Sequence, residues 1–242
     1  MADVYKIGPI LISFKLMIIF LSGIFGYLTL LMAMKRSEIN RKVIMDLFSS
    51  CILILIFTWK FGGVLLNPKL LLSNPLLVLF MTGSNSTLLL GLIISIAYLA
   101  FKIYKKAIPL KLFLDLLSLS VLPSMFIYNL FIPVYGYPTR FPWGISLGSE
   151  NVDYHPIHIY FAITCAMIIL FLYKTIKTKG SGNLFMKTAV LIGLSGLVFT
   201  FLSPQMNFIM GVSQKQWLFI FVIFVGLLTS IHKENEEVES KD

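Results

Sequence analysis

Seven long apolar runs constrain this chain more than any other feature of its sequence. They cover residues 10–34, 43–66, 86–104, 110–133, 157–173, 185–202 and 217–231. Because about 20 helical residues cross a hydrocarbon core of about 30 Å, each run is predicted to be a transmembrane helix. Of the 242 residues, 57% are apolar and only 13% are charged, whereas soluble domains carry about 25% charged residues. The sequence therefore predicts an all-α, polytopic membrane protein and excludes a soluble or disordered chain.

The polar breaks between the runs are too short to enclose a second core. Residues 1–231 are predicted to form a single seven-span membrane domain with a small outer cap at 134–156. Residues 67–86 are predicted to form an outer-surface or re-entrant segment, because Asn-Pro pairs interrupt a run shorter than a span. Residues 232–242 carry five acidic side chains and are expected to be a solvated, unstructured tail.

Basic residues are distributed unevenly between the two sides of this arrangement. Fourteen of the 20 lysines and arginines fall in the loops after spans one, three and five or in the tail, and four fall on the opposite side. Loops rich in Lys and Arg remain in the cytoplasm, so the N-terminus is predicted to be outside and the C-terminus cytoplasmic. The net charge of +9 is thus assigned to membrane orientation, and no nucleic-acid partner is expected.

Lys15 and Lys60 are the basic residues that fall inside predicted spans. An ionisable side chain in the bilayer costs about 2.5–3.5 kcal/mol on insertion scales, so it generally faces a cavity or a partner. Both lysines lie toward the outer side and could line one pocket for an anionic lipid head group; for Lys60, snorkelling to the interface is an equal alternative. Asp46 and Asp115 are interpreted as carboxylates at helix starts that pair with loop lysines.

The predicted cap is rich in proline and aromatic residues. Prolines fix backbone angles and aromatic rings favour a membrane interface, so an ordered segment at the outer head-group level is predicted. Arg140 could hold a phosphate through two hydrogen bonds or could be solvated within an aromatic belt. Cys51 and Cys165 are interpreted as small core residues, and no metal or cofactor motif is present.

Several motifs resemble, in the right order, those of bacterial prolipoprotein diacylglyceryl transferases. The most specific are Tyr-Gly-Tyr-Pro-Thr at 135–139, Phe-Pro-Trp-Gly at 141–144 and His-Pro-x-x-x-Tyr at 155–160; residues 7–10, 60–62, 114–116 and 211–216 add further similarity. The resemblance implies a seven-span fold in the bacterial plasma membrane. It also implies functional roles for the motif residues Tyr135, Gly136, Pro138, Thr139, Pro142, Trp143, His155, Pro156 and Tyr160.

The chemistry implied by the resemblance is transfer of a diacylglyceryl group from phosphatidylglycerol to a prolipoprotein cysteine, but the residues expected for it are missing. No Arg, Glu or Gly lies between Asp115 and Tyr135, and leucines replace the expected His near residues 88–90. Phe161 replaces a Glu, and the Arg expected in span six is absent, with Phe199 and Thr200 in that neighbourhood. Losing one electrostatic donor can cost about 10²–10³ in rate, so a catalytically degenerate protein is expected.

Three functions are compatible with this pattern. The first is binding of a phosphatidylglycerol-like phospholipid, or of an acylated peptide such as a prolipoprotein, in connection with lipoprotein biosynthesis. The second is an active lipid transferase with a substitute site, in which Lys15, Lys60 and Arg140 bind the head group and His155 acts as base. The third is a transporter or an immunity-type partner protein. The sequence leaves the oligomeric state open.

Overall fold

A computed structural model describes residues 4–7, 10–34, 41–69, 83–106, 108–148, 152–173 and 180–239. Residue contacts divide the chain into two compact units. The larger unit consists of Met1–Ala33 and Lys111–Asp242, and the smaller unit consists of Met34–Leu110. We describe each unit by itself.

The described residues are mostly helical. The helices are α1 (Phe14–Met34), α2 (Arg41–Leu66), α3 (Asn85–Lys106), α4 (Leu110–Phe131), α5 (Ile157–Leu172), α6 (Asn183–Thr200) and α7 (Gln214–Glu239). Short strands are β1 (Val4–Ile7), β2 (Ile10–Ser13), β3 (Tyr135–Thr139), β4 (Ile145–Ser146), β5 (Asp153–Pro156), β6 (Phe208–Ile209) and β7 (Val212–Ser213). The strands pair antiparallel as β1-β2, β3-β5-β4 and β6-β7.

Five helices within the described ranges, α1, α2, α3, α4 and α6, are long and apolar enough to cross a membrane. Helix α5 and the apolar part of α7, Gln214–Thr229, are shorter. Large apolar side chains on the helices are exposed, among them Leu53 and Phe57, each 66% accessible. A surface of this kind suits lipid and not water. The prediction of a helical, multi-pass membrane protein is therefore confirmed in helix length and composition.

Two element boundaries differ from those predicted. The first apolar run starts at Ile10, but Ile10–Ser13 is a strand paired with Val4–Ile7, and α1 starts at Phe14. At the other end of the chain, α7 continues through Glu239, whereas an unstructured segment is predicted from residue 232. Forming the first turn of a helix costs free energy, whereas each residue added to an existing helix gains one hydrogen bond. Helix α7 can therefore extend into the polar segment that follows it. Most of the predicted re-entrant segment, at 70–82, lies outside the described residues.

The smaller unit contains α2 and α3, which pack through small residues. Gly62 and Gly91 are buried; a Cβ on Gly62 would lie 3.1 Å from Thr87 Cβ, and one on Gly91 would lie 3.3 Å from the Leu55 carbonyl oxygen. The Thr87 hydroxyl lies 2.9 Å from the Trp59 carbonyl oxygen. Small residues and interhelical hydrogen bonds allow close packing of helices in lipid, where no hydrophobic force drives them together.

In the larger unit, α1 approaches α4 closely because a glycine faces it. A Cβ on Gly26 would collide with the Ser120 carbonyl oxygen and the Ser124 hydroxyl. Gly23, about one turn earlier, has no atom within 4 Å of its Cβ position. Of these two positions, only residue 26 therefore requires glycine, because the backbone carbonyl that faces it cannot rotate away as a side chain could.

The same pair of helices compensates for a proline inside α4. Pro123 lacks the N–H that would bond to the Leu119 carbonyl. The Thr29 hydroxyl of α1 lies 3.1 Å from that carbonyl oxygen and 2.8 Å from the Gly26 carbonyl oxygen. A side chain of the neighbouring helix thus supplies a donor for the freed carbonyl, as lipid requires. Because residue 26 meets 124 and residue 29 meets 119, α1 and α4 run antiparallel.

Asp115 joins α4 to the start of α6. It is 0% exposed, and its carboxylate accepts N–H groups from Gly180 at 2.8 Å, Gly182 at 3.0 Å and Phe185 at 2.9 Å. The first N–H groups of a helix have no intrahelical acceptor, and the helix dipole favours a negative charge there. Asp115 lies in the second turn of α4, and these bonds show that it also caps α6; its predicted pairing with loop lysines stays a prediction.

The apolar core of the larger unit lies where α4, α5 and α6 meet. Its buried members are Leu122, Cys165, Ile168, Leu172, Leu184 and Ile192. Helix α7 packs on α6 through glycine: a Cβ on Gly193 would collide with Ile223, and one on Gly196 would collide with the Phe219 ring. Cys165 is 0% exposed, in agreement with its interpretation as a small core residue.

Candidate functional site

The segment between α4 and α5 folds into the three-stranded sheet β3-β5-β4, which we call the cap (residues 134–156). Strands β3 and β4 pair with opposite edges of β5, each lying across from Tyr154 and Asp153. The turn before β4 is tight: a Cβ on Gly144 would lie 2.6 Å from Asp153 Cβ. The cap thus has a defined backbone that can hold aromatic side chains in place.

The cap is tied to the end of α6 by its backbone. The N–H of Tyr137 donates to the Leu202 carbonyl at 2.8 Å. A Cβ on Gly136 would collide with the same carbonyl oxygen. Glycine is therefore required here, because the backbone of β3 lies directly against the backbone that follows α6. This contact places the ends of α4 and α6 and the starts of α5 and α7 at one end of the larger unit, which we call the cap end.

A hydrogen-bonded chain links three motif residues at the junction of the cap and α5. Trp143 Nε1–H donates to the Tyr160 hydroxyl oxygen at 2.9 Å, and that hydroxyl lies 3.0 Å from Nδ1 of His155. An indole N–H can only donate, so the Tyr160 hydroxyl accepts from Trp143 and has its own proton to give to Nδ1. A hydroxyl oxygen can accept two hydrogen bonds, so it can also accept from Nδ1–H, and both neutral tautomers of His155 keep the contact.

Aromatic rings surround the chain of hydrogen bonds. Phe141 stacks on Trp143 with centroids 4.8 Å apart and planes 5° apart, and it lies 5.9 Å from His155. Tyr160 lies 5.9 Å from Phe199 of α6. Such ring pairs contribute beyond the area they bury. His155 is only 9% exposed, so the imidazole is held in one orientation and is largely shielded from solvent.

Phenylalanines lie at or near the positions at which the resemblance implies charged residues. Phe161 replaces the expected Glu, and Phe199 lies in the neighbourhood of the expected Arg, beside Thr200; the two rings meet edge to face with centroids 4.8 Å apart. Phe219 of α7 stacks 6.1 Å from Phe161. A ring pair supplies neither a cation for a phosphate nor a carboxylate for a proton. The space between α5, α6 and α7 at this level is therefore apolar.

His158 is a second buried imidazole, and it serves the attachment of the cap. Val134 N–H donates to its Nδ1 at 3.1 Å, and the Tyr135 ring lies 5.4 Å from it at nearly a right angle. His158 is 7% exposed. His158 is not among the predicted site residues; it lies three residues after His155, in the first turn of α5.

A polar network closes the turn between α6 and α7. Gln205 Nε2 donates to the Thr200 carbonyl at 2.9 Å, and the Ser213 hydroxyl lies 3.2 Å from Gln205 Oε1. Gln216 Nε2 donates to the Thr200 hydroxyl at 3.2 Å. The motif similarity over residues 211–216 predicted that this segment is important, but it did not predict which contacts its side chains make. Its side chains fix the β6-β7 hairpin to both helices.

Apolar side chains cover the tips of the cap and of the β6-β7 hairpin. Trp143 is 55% exposed, and Met210 is 92% exposed. The other exposed apolar residues of these tips include Tyr137, Phe141, Met206, Phe208 and Ile209. Amphipathic rings and apolar tips are typical of the region where a membrane meets water.

Among the side chains that the structure describes, Lys15, Arg140 and Lys215 are exposed basic residues at the cap end. Lys15 lies in the first turn of α1, beside the end of α4, because these two helices run antiparallel. Lys15 is thus nearer to the end of its helix than its place in the predicted span suggests. Asp153 is an exposed carboxylate on the same cap.

The remaining predicted site residues are placed as follows. Lys60 is partly buried in α2 of the smaller unit, so the pocket predicted to join it to Lys15 stays a prediction. The Thr139 hydroxyl accepts the Phe141 N–H at 3.2 Å and shapes the turn that follows β3. Pro138 and Pro142 are exposed, whereas Pro156 is buried at the start of α5.

The chain matches no protein-family model and no curated protein sequence. The resemblance to prolipoprotein diacylglyceryl transferases accordingly stays a prediction that rests on the motif residues named above. Of these, the structure brings Trp143, His155 and Tyr160 into one hydrogen-bonded chain. The sequence order alone did not indicate that contact, because 17 residues separate Trp143 from Tyr160.

Proposed function

We propose that this protein binds an anionic, phosphatidylglycerol-like phospholipid at the cap end and does not carry out diacylglyceryl transfer. The observation that carries the proposal is the 4.8 Å contact between the rings of Phe161 and Phe199. Phe161 stands at the position implied to hold a Glu, and its ring meets Phe199, which lies beside Thr200 in the neighbourhood implied to hold an Arg. Transfer would need positive charge beside the departing phosphate, and these two rings supply none.

Binding of an anionic lipid requires basic side chains at head-group level but no catalytic groups, and the cap end has such side chains. Lys15, Arg140 and Lys215 are exposed there, and each basic residue near an anionic membrane surface contributes about 1 kcal/mol. The aromatic and apolar tips of the cap and hairpin place these charges at head-group level. The guanidinium of Arg140 can hold a phosphate through two parallel hydrogen bonds. An acylated peptide, such as a prolipoprotein, would present the same combination of lipid chains and interface.

In this proposal the cap faces the outside of a bacterial plasma membrane. The excess of Lys and Arg in the loops at the other ends of the helices supports that orientation. The protein would then meet outer-leaflet phospholipid or secreted lipoprotein precursors and act in connection with lipoprotein biosynthesis.

Retention of lipid tests the binding step. The purified protein in nanodiscs of mixed phosphatidylglycerol and phosphatidylcholine should retain phosphatidylglycerol preferentially when released into a mass spectrometer. Arg140→Gln and Lys215→Gln should each weaken that preference, as should Lys15→Met and Lys60→Met if the pocket predicted for those two exists. Ser146→Ala, an exposed change in the cap that removes no charge, is the matched control and should have no effect. Equal retention of both lipids by the wild type would overturn the proposal.

Rescue of a depleted strain tests the absence of transfer. We expect that cells depleted of their own diacylglyceryl transferase and expressing this protein accumulate unmodified prolipoprotein, as judged by its mass. Full restoration of the lipidated mass would show that the phenylalanine-lined interior does not prevent catalysis.

The orientation of His155 favours one second candidate, a lipid transferase with a substitute site. The Tyr160 hydroxyl, 3.0 Å from Nδ1, fixes the imidazole as an oriented base requires. In the tautomer whose Nδ1–H donates to that hydroxyl oxygen, Nε2 is free to take the proton of the prolipoprotein thiol, and the thiolate would displace glycerol phosphate from the diacylglyceryl carbon. Rescue of the depleted strain by the wild type, abolished by His155→Gln but not by His158→Gln, is the outcome that would select this candidate.

A further inference from the structure

A second site lies in the larger unit, far from the cap. An apolar cavity of about 260 Å³, open on one side, lies between α1, α4, α5 and α6. Its walls include Ala33, Leu119 and Ile169. Ile169 follows the buried His158 by 11 residues of α5, which at 1.5 Å per residue places the cavity roughly 15 Å from the base of the cap.

The cavity forms where Pro123 interrupts the hydrogen bonding of α4. Its two hydroxyl-bearing residues are turned to backbone carbonyls: Thr29 lies 3.1 Å from the Leu119 oxygen, and Ser118 lies 3.3 Å from the Leu114 oxygen. The proton of each hydroxyl is therefore engaged by the backbone, which leaves only the hydroxyl lone pairs as polar groups toward the cavity. The walls suit an apolar occupant, because water needs two or more polar partners to fill such a space.

The size of the cavity and its opening indicate which apolar group enters. A cavity of about 150 Å³ can stay dry and bind benzene, so this larger one accepts a chain of several methylene groups. Met32, which lines it, is 66% exposed, so the cavity reaches the outer surface of the helices. In a chain that crosses a membrane, the groups found at that surface are lipid acyl chains.

We propose that this cavity holds a segment of one lipid acyl chain. An empty cavity forfeits dispersion contacts along all of its walls, and an acyl chain restores them without desolvating a polar group. The occupant is held by its tail alone, so its head group is not selected. The site is thus separate in position and in chemistry from the anionic head-group site of the cap end, and its existence does not depend on that function.

Photolabelling from within the bilayer tests the proposal. The wild type is reconstituted with phosphatidylcholine that carries a diazirine on its acyl chain, irradiated, digested and mapped by mass spectrometry. We expect label on the segments 29–33, 118–123 and 169–172 above that on the outward-facing positions of α3. Ala33→Phe fills the cavity and should remove most of the label from these segments.

The matched control is Ala97→Phe, the same change at an exposed position of α3, which should leave the label in place. Ala33→Leu adds fewer atoms and should give an intermediate loss, which keeps the test valid if the larger ring prevents folding. Arg140→Gln should not alter this label, so failure here is distinguishable from failure of head-group binding. Label no higher than on exposed helix faces, or label unchanged by both cavity-filling variants, would overturn the proposal.

Discussion

At the residue scale, removal of the Asp115 side chain should lower the free energy of unfolding more than removal of an exposed carboxylate. Asp115→Ala would leave the N–H groups of Gly180, Gly182 and Phe185 without their buried acceptor. We expect a loss of about 2 kcal/mol or more in the free energy of unfolding, from the lost cap and the unpaired donors. The midpoint of thermal unfolding in detergent measures this. Asp46→Ala, which removes an exposed carboxylate from α2, is the control; equal midpoints for the two variants would contradict the assigned role.

Also at this scale, one hydroxyl joins the parts of the candidate site. Tyr160→Phe keeps the ring but removes the oxygen that lies between Trp143 and His155. We expect a loss of roughly 1–2 kcal/mol in stability, because two polar groups lose their common partner. Tyr173→Phe, at a position 73% exposed, provides the comparison. If both variants unfold at the temperature of the wild type, the hydrogen-bonded chain contributes nothing to the attachment of the cap.

At the scale of elements, the contact between α1 and α4 depends on a single glycine. Gly26→Ala should push the two helices apart, since its Cβ would meet a backbone carbonyl, and overpacking of this kind costs about 1–3 kcal/mol. Gly23→Ala on the same helix meets no atom and should be neutral or stabilising by up to about 1 kcal/mol. Thermal unfolding of the two variants side by side makes the comparison. Equal effects would place the helix contact elsewhere on α1.

At the scale of the whole molecule, orientation in the membrane can be tested directly. In a background without Cys51 and Cys165, Ser146→Cys in the cap should react with a membrane-impermeant maleimide in intact cells. Lys42→Cys, exposed in the first turn of α2, should react only after the cells are permeabilised. The reason is the excess of basic residues on that side. The reverse pattern of labelling would invert the proposed orientation and with it the access of the cap to outer-leaflet lipid.

The positions of the helices were largely predictable from the sequence, whereas their contacts were not. A helix follows wherever about 20 apolar residues are continuous, because lipid leaves the backbone no other way to satisfy its hydrogen bonds. The strand Ile10–Ser13 was missed because it lies within an apolar run whose composition resembles that of the helix after it. In the candidate site, the motif residues were found from the sequence, but the partners that orient them were not.

Composition and run length along the chain are enough to predict helices that are long and apolar enough to cross a membrane, because both are local properties. Packing alone makes Asp115 cap α6, turns Thr29 to the carbonyl that Pro123 leaves without a partner, and brings Phe161 against Phe199. Each of these contacts joins residues tens of positions apart. The physical reason is that hydropathy is a property of a segment, whereas a hydrogen bond or a ring contact is a property of two segments brought together by packing.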